Sequence, residues 1–199
     1  MKVIVVGANG DIGKVVCDAL GARHDIVTVG RSSGDFQIDM SDLSAIDDMY
    51  ASVGQFDAVV ATAGDVHFSA LQEHTAETFM IGLRQKVMGQ INLVLAGLRK
   101  IRDRGSFTLT SGVLDRDPIP MGTAAATANG ALAGFVVGAA IEMPRGLRVN
   151  VVSPCLLDVS APRYGAWFPG HDPVPSRRVG LAYAKSVEGA VTGQVITVD

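Results

Sequence analysis

The sequence is poor in the residue types that define several common classes of protein. Only two of its 199 residues are cysteines, Cys17 and Cys155, and they lie far apart. This excludes a disulfide framework and a cysteine-rich zinc site, and it favours a protein of the reducing cytoplasm. Seventeen basic and twenty acidic residues give a net charge of −3. We therefore expect no broad electrostatic binding of nucleic acid.

Aromatic residues make up only 6% of the chain, and three of them are tyrosines. One uncharged stretch, 118–141, is long enough to suggest a membrane span, but it is rich in Ala, Gly and Thr and contains Asn129. Membrane insertion of this stretch would be poorly driven, so we expect a buried helix and no membrane partner. Because 48% of the residues are hydrophobic, the chain can bury a core. Its length suits one domain over 1–199.

Short β-branched runs alternate with longer segments of helical periodicity. Strands are predicted at 3–6, 26–29, 36–38, 58–61, 107–110, 149–152 and 194–198. Helices are predicted near 12–22, 42–53, 75–103, 121–143 and 176–187. This alternation predicts an α/β fold with a single Rossmann-type, doubly wound parallel sheet of about seven strands and helices on both faces. The segment 156–175, which contains four prolines, is predicted to be a functional loop or lid.

A glycine-rich segment joins the first predicted strand to the first predicted helix. Glycines let the backbone approach a pyrophosphate, and a helix N-terminus offers free N–H groups with a partial positive charge. The alternative is an ordinary glycine-rich turn, but its position at the start of a sheet pattern favours a nucleotide site. The residues expected to contact the cofactor are Gly7, Asn9, Gly10, Asp11, Ile12 and Gly13.

Arg31 and Ser32 follow the second predicted strand, and they bear on the choice of cofactor. An acidic residue here would bind the ribose of NAD(H), whereas an arginine can pair with the 2′-phosphate of NADP(H). The sequence therefore favours NADP(H), and a solvated arginine in a loop is the alternative. Asp39, after the third strand, either meets the adenine ring or caps the next helix, with Ser41 competing for that cap.

These motifs and several later ones resemble those of the short-chain dehydrogenase/reductase family over almost the whole chain. The glycine spacing, Gly-x-x-Gly-x-x-Gly, differs from the commoner Gly-x-x-x-Gly-x-Gly of the family. Segment 61–64 resembles its Asn-Asn-Ala-Gly motif, Ser111 its catalytic serine, and segment 148–154 the part that reaches the nicotinamide. The resemblance thus implies further cofactor contacts from Ala61, Thr62, Ala63, Gly64 and Pro154.

The proton donor of that family is missing. Its members use a Tyr-x-x-x-Lys pair, in which the tyrosine is the general acid or base and the lysine lowers a tyrosine pKa that is ordinarily about 10. Counting from Ser111 places this pair at Thr123 and Thr127, which we treat as degenerate catalytic positions. No tyrosine or lysine occurs between 111 and 143, and Tyr164 in the proline-rich segment is a weak substitute.

Lys86 stands where the family has the asparagine of an Asn-x-x-Gly motif that lines the active site. A lysine that projected from there toward Ser111 would partly restore the missing positive charge. It would either anchor an acidic ligand or donate a proton with a depressed pKa. The alternative is a lysine on a solvated helix face. His67 and His74 have no acidic or cysteine partner at ligand spacing, so no metal site is predicted.

A stripe of glycines, Gly130, Gly134 and Gly138, leaves one face of the helix at 121–143 nearly flat. Family members commonly pair through this helix and the preceding one. The resemblance therefore implies a homodimer or homotetramer through 75–103 and 121–143, and close packing on the chain's own sheet is the alternative.

Three functions remain open from the sequence. The first is an NADP(H)-dependent oxidoreductase acting on an unidentified carbonyl or alcohol. The second is a catalytically inactive NADP(H)-binding sensor or regulatory protein, which the missing tyrosine and lysine favour. The third is a structural oligomerisation module, against which the intact glycine turn argues.

Overall fold

Seven parallel strands form one sheet in the order β3-β2-β1-β4-β5-β6-β7. The structure, a computed structural model, describes residues 1–199. The strands are β1 (Lys2–Val6), β2 (Asp25–Gly30), β3 (Phe36–Gln37), β4 (Ala58–Ala61), β5 (Ser106–Thr110), β6 (Arg148–Pro154) and β7 (Val195–Val198). The strand order reverses between β1 and β4, which is the arrangement of doubly wound α/β proteins. The predicted fold class and number of strands are confirmed.

Helices cover both faces of this sheet. They are α1 (Asp11–Gly21), α2 (Leu43–Val53), α3 (Ala76–Ile81), α4 (Gly89–Gly97), α5 (Thr123–Ala140), α6 (Ala161–Tyr164) and α7 (Ser176–Glu188). The prediction of one continuous helix over 75–103 is wrong in detail. A π-helical segment, Gly82–Met88, separates α3 from α4, and α4 ends at Gly97. Such a segment widens the helix and often occurs at functional sites. Lys86 lies inside it.

The N-cap of α2 is another correction. Asp42 caps this helix, and its carboxylate accepts hydrogen bonds from the backbone N–H groups of Ser44 and Ala45. Both capping candidates from the sequence, Asp39 and Ser41, lie just before it. The Asp39 carboxylate instead accepts hydrogen bonds from the N–H and hydroxyl of Ser41, which are only two residues away. Because the carboxylate of Asp39 is used in this local turn, the next aspartate, Asp42, caps the helix.

The core consists of two layers, one on each face of the sheet. Alternate residues of β1 supply both, with Ile4 in one layer and Val5 in the other, because successive strand side chains point in opposite directions. This double coverage explains why the strands are continuously apolar. Tyr183 of α7 is fully buried, and its hydroxyl shares a 2.6 Å hydrogen bond with the hydroxyl of Thr110 at the end of β5.

Helix α5 is the one helix whose length and apolar composition would allow it to cross a membrane, and the core helix of a soluble protein passes the same test. Here it packs against the sheet. Leu132 and Val136 are fully buried in the core. Gly130, Gly134 and Gly138 lie on the opposite side, where an added Cβ would meet no atom within 4 Å. The alternative to a subunit interface, close packing of the glycine stripe on the chain's own sheet, is therefore wrong.

Candidate functional site

The glycine turn between β1 and α1 is tightly folded. Gly7 has a φ of +85°, and its N–H donates to Val29 of β2 over 2.7 Å. A Cβ on Gly13 would lie 2.1 Å from the carbonyl oxygen of Gly7, so this position admits only glycine. The N–H groups of Asp11, Ile12 and Gly13, in the first turn of α1, have no acceptor in the protein. The turn therefore offers a set of free N–H donors at a helix N-terminus, which is how proteins bind phosphate groups.

A cavity of about 310 Å³ opens between this turn and the loops that follow β2 and β4. Its lining includes several of the predicted cofactor contacts, namely Gly7, Asn9, Gly10, Arg31, Ser32, Thr62, Ala63 and Gly64. Asn9 ties the glycine turn to the β2 loop, since its side-chain amide donates to the hydroxyl of Ser33 over 2.7 Å. Ile38 and Met40 line the same cavity on either side of Asp39, whose carboxylate is occupied by Ser41.

Arg31 lies at the edge of the cavity but is already paired. Its guanidinium donates to the carboxylate of Asp65 over 2.8 Å, and Gln85 lies 3.5 Å away. Both side chains of the ion pair are more than half exposed, at 62% and 59%. An ion pair this exposed contributes little stability, so a stronger anion in the cavity can displace Asp65 from Arg31. The arrangement can thus hold a phosphate beside the loop after β2.

Asp11 has a different position from that expected of a cofactor contact. Its carboxylate accepts a 2.7 Å hydrogen bond from the hydroxyl of Ser160 and pairs with the guanidinium of Arg163. Both partners belong to the proline-rich segment 156–175. The hydrogen bond from Ser160 is the main reason why the pKa of Asp11 lies below its usual value. Asp11 therefore fastens this segment to the start of α1, and only its backbone N–H remains without an acceptor.

A buried glutamine on α4, Gln90, holds the ends of β4 and β5 in place. It is fully buried and makes hydrogen bonds to both backbone groups of Thr110, at 2.8 and 3.0 Å, and to the carbonyl of Ala63. The Thr110 hydroxyl also donates to the carbonyl of Ala61 over 2.6 Å. Gln90 is not among the residues predicted from the sequence. Its signal was an amide within an apolar helical segment, which indicates a buried polar partner.

Ser111 and Lys86 meet at the carboxyl end of β5. The Lys86 ammonium donates to the backbone carbonyl of Ser111 over 3.0 Å, so the side chain points into the site and not into solvent. Burial lowers the pKa of Lys86 to about 8, while the nearby carboxylate of Asp115 opposes this shift. The hydroxyl of Ser111 is buried and has no hydrogen-bond partner. A buried hydroxyl without a partner is uncommon and calls for an explanation, such as a catalytic role or a bound water.

Asn129 on α5 completes this group of polar side chains and was also missed. Its side-chain oxygen accepts a hydrogen bond from the Lys86 ammonium over 2.6 Å, and its amide donates to the carbonyl of Gly112 over 3.1 Å. From the sequence alone, Asn129 only makes a membrane span at 118–141 unfavourable. Its partner is 43 residues away in the chain, so no local pattern could have identified the contact.

The other predicted catalytic positions are not part of this group. Thr123 and Thr127 are exposed, and the hydroxyl of Thr127 donates to the carbonyl of Thr123 within the helix. Neither hydroxyl bonds to Ser111 or to Lys86. Pro154 ends β6 in a buried position. The geometry thus unites Ser111 with Lys86 and leaves the two threonines apart.

Taken together, the strand order, the glycine turn at the first strand and the cavity at the point of reversal define a dinucleotide-binding type of α/β protein. Residues 2–170 match the model of a family described as Enoyl-(Acyl carrier protein) reductase. The protein belongs to the short-chain dehydrogenase/reductase family, as the motifs indicated.

Solved structures show the same fold. The protein lin1944 from Listeria innocua is 44% identical to this chain, with both chains covered completely and a TM-score of 0.98. A small-chain dehydrogenase in complex with NADPH is 24% identical, with 100% of this chain and 96% of that chain covered and a TM-score of 0.87. A short chain dehydrogenase from Burkholderia cenocepacia J2315 in complex with NADP is 22% identical, with 99% of this chain and 95% of that chain covered and a TM-score of 0.87. No protein of curated function matches the chain.

Proposed function

We propose that this protein is an NADP(H)-dependent oxidoreductase that acts on a carbonyl or alcohol substrate and uses Lys86 as its proton donor and acceptor. The observation that carries the proposal is the contact of the Lys86 ammonium with the backbone of Ser111, beside a buried hydroxyl that lacks a partner. An oxidoreductase of this family needs a proton donor at that place, and the chain has no tyrosine there.

The residues of the first turn of α1 fit the diphosphate of a dinucleotide. Three N–H groups of that turn are free, and the glycines leave no Cβ in the way of a phosphate. Arg31 and Ser32 would hold the 2′-phosphate of NADP(H) once Asp65 is displaced. The two distant relatives whose structures contain NADPH and NADP support this choice of cofactor.

The side chains of Ser111 and Lys86 at the end of β5 are suited to carbonyl reduction. The bound nicotinamide would supply the hydride to the carbonyl carbon. The Ser111 hydroxyl would donate a hydrogen bond to the carbonyl oxygen, which satisfies its missing partner. The Lys86 ammonium would then transfer a proton to that oxygen, which yields the alcohol and a neutral amine that solvent reprotonates. A pKa of about 8 suits this task, since general acids work best when their pKa lies near the working pH.

Binding and turnover measurements on Lys86→Met test this proposal. NADPH and NADH are titrated against the purified protein, and turnover is then followed on a panel of aldehydes, ketones and alcohols. We expect Lys86→Met to bind NADPH normally and to lose at least 100-fold in kcat, as loss of a general acid does. Lys100→Met, which removes a lysine that pairs with Asp47 on the surface, is the matched control and keeps full activity.

A second function, a nucleotide-binding sensor without redox turnover, is favoured by the absence of the family's Tyr-x-x-x-Lys pair and by the exposure of Thr123 and Thr127. NADPH binding without turnover on any member of the panel would support the sensor. Failure to bind either nucleotide would contradict both functions and leave the structural module.

We also infer that a second copy of the chain covers the glycine face of α5. The face is open at Gly130, Gly134 and Gly138, and a groove of about 460 Å³ runs between it and α4. Ile141 is 88% exposed beside this groove. Sedimentation of the wild type should give a dimer or tetramer, and Gly134→Trp should give a monomer because the bulky ring prevents close approach of helices. A wild-type monomer at micromolar concentration would contradict the inference.

A further inference from the structure

The side chain of Asn129 is buried in an unusual setting, at only 2% exposure within a helix of small apolar residues. Both of its polar ends are used. Its oxygen accepts from the Lys86 ammonium at 2.6 Å, and its amide donates to the carbonyl of Gly112 at 3.1 Å. This pair of partners fixes which end of the amide faces Lys86, because an ammonium group can only donate and a carbonyl can only accept. Asn129 therefore joins α5 to Lys86 and to the end of β5.

The Lys86 ammonium has three N–H groups, and the protein accepts two of them. One goes to the carbonyl of Ser111 at 3.0 Å and one to Asn129. The third has no acceptor in the protein, and neither does the buried hydroxyl of Ser111. Two donors without partners thus lie in one small region. A carbonyl or alkoxide oxygen is the kind of atom that accepts from two such donors.

The backbone around these two side chains is kept free of Cβ atoms. Gly64 has a φ of +153°, and an added Cβ would lie 2.6 Å from Cγ of Lys86. Gly112 has a φ of +151°, and an added Cβ would lie 3.2 Å from the amide nitrogen of Asn129. Because neither glycine has a Cβ, Lys86 packs closely against the backbone of Gly64 and Asn129 against that of Gly112. The position of the ammonium is therefore set by packing as well as by hydrogen bonds.

We propose that Asn129 is the positioning residue of Lys86: its side-chain oxygen holds the ammonium against Ser111, so that the one free N–H of Lys86 is presented beside the Ser111 hydroxyl. This inference rests on the proposed function and adds a residue to it. Without Asn129 the flexible side chain of Lys86 would lose one of its two anchors. A general acid that is misplaced by about 1 Å loses on the order of 100-fold in rate.

The charged groups around Lys86 allow a clear test. Asp115, in the loop after β5, is the carboxylate that acts on Lys86, and it opposes the effect of burial on the pKa. From the loop after β4, Asp65 is already paired with Arg31. The side chain that contacts the ammonium from α5 is the neutral Asn129. A carboxylate at position 129 would therefore add a new negative charge in direct contact with the ammonium.

The test compares Asn129→Asp and Asn129→Leu with Asn92→Asp. Asn92 is a buried asparagine on α4 whose amide donates to the carbonyl of Met40 at 3.4 Å, so it controls for a new buried carboxylate. The pKa of Lys86 is measured directly by ¹³C NMR of lysine-labelled protein, with Lys86→Met used to assign its signal. The pH profile of NADPH-dependent carbonyl reduction and the thermal unfolding of each variant are measured in parallel.

Asn129→Asp should raise the pKa of Lys86 by about 1 to 2 units and move the alkaline limb of the pH profile by the same amount, because an adjacent opposite charge favours the ammonium. Asn92→Asp should move neither. Asn129→Leu should lower kcat by about 10- to 100-fold while the KM for NADPH stays unchanged. If Asn129→Leu does not fold, the result from Asn129→Asp still decides the inference.

An unchanged pKa of Lys86 in Asn129→Asp would overturn the inference, and so would an equal shift in Asn92→Asp. These outcomes are separate from failure of the proposed function. A wild-type protein that reduces no carbonyl would contradict the oxidoreductase, yet the NMR titration would still show whether Asn129 controls Lys86. Conversely, full turnover by Lys86→Met would refute the role of Lys86 as proton donor, whatever the NMR result.

Discussion

The exposed ion pair between Arg31 and Asp65 allows an estimate of how much Arg31 favours NADP(H) over NAD(H). In the structure the Arg31 guanidinium donates to Asp65 at 2.8 Å at the edge of the cavity beside the glycine turn. Binding of NADPH must exchange this carboxylate for the 2′-phosphate, whereas NADH has no such phosphate and leaves the pair intact. Replacement of Arg31 by alanine should therefore weaken the binding of NADPH and leave that of NADH almost unchanged.

The size of this effect follows from two opposing contributions. Charge-assisted hydrogen bonds to the phosphate contribute about 1.5 to 3 kcal/mol. Loss of the exposed ion pair costs about 0.2 to 1 kcal/mol, since both side chains are more than half exposed. The difference is about 0.5 to 3 kcal/mol, which corresponds to about 2- to 100-fold weaker binding of NADPH in Arg31→Ala. Asp65→Asn should act in the opposite direction, with about 2- to 5-fold tighter binding of NADPH.

The assay is a titration of each variant with NADPH and NADH, followed by the fluorescence of the reduced nicotinamide or by calorimetry. Arg178→Ala, which removes an exposed arginine on α7, controls for the loss of one positive charge. Because Arg31 and Asp65 act on each other, their double variant should not show the sum of the single effects. Equal losses for NADPH and NADH in Arg31→Ala would refute the reasoning, as would unchanged binding of NADPH.

Three further predictions concern Lys86 and the proline-rich segment. Gly64→Ala should lower the free energy of unfolding by about 1 to 3 kcal/mol and abolish turnover, because its Cβ would displace Lys86. Thermal unfolding checks the loss of stability, and Gly165→Ala, where no atom lies within 4 Å of the added Cβ, is the control. The rate of carbonyl reduction should fall about tenfold per pH unit above a pKa of about 8, because Lys86 loses the proton that it donates. The rate of alcohol oxidation should rise to a plateau over the same pH range. Flat pH profiles for both reactions would contradict the role of Lys86 as proton donor and acceptor. Asp11→Asn should speed tryptic cleavage within 156–175, because it weakens the contact that fastens this segment to α1; a digestion time course equal to that of the wild type would contradict this.

Much of the fold could be predicted because the information is local. Each strand is a short β-branched run, and the alternation of runs with helical segments leaves few topologies for a chain of this length. The glycine turn is local too, since the residues that approach a phosphate lie within seven positions of one another. The prediction of the N-cap of α2 was wrong for a local reason as well. Asp39 and Asp42 are both residues that can cap a helix, and only the backbone geometry decides which one faces the helix.

The candidate catalytic group could be predicted only in part. The resemblance to the family drew attention to Ser111 and Lys86, because each stands at a motif position. Asn129 and Gln90 stand at no motif position that the sequence analysis considered, and a polar residue in an apolar helix has many potential partners. The count from Ser111 that led to Thr123 and Thr127 assumes a fixed spacing, and a shift of one residue along an α-helix turns a side chain by about 100°.

By itself the sequence determined the class of fold, the family and the glycine turn after β1, because hydrophobic periodicity and glycine spacing act over a few residues. The tertiary structure decided where the charges lie. It turned Asp11 toward the proline-rich segment, paired Arg31 with Asp65, and placed Lys86 between Ser111 and Asn129. Each of these contacts joins residues far apart in the chain, and the electrostatic effect of a charge depends on distances and burial that exist only once the helices have packed on the sheet.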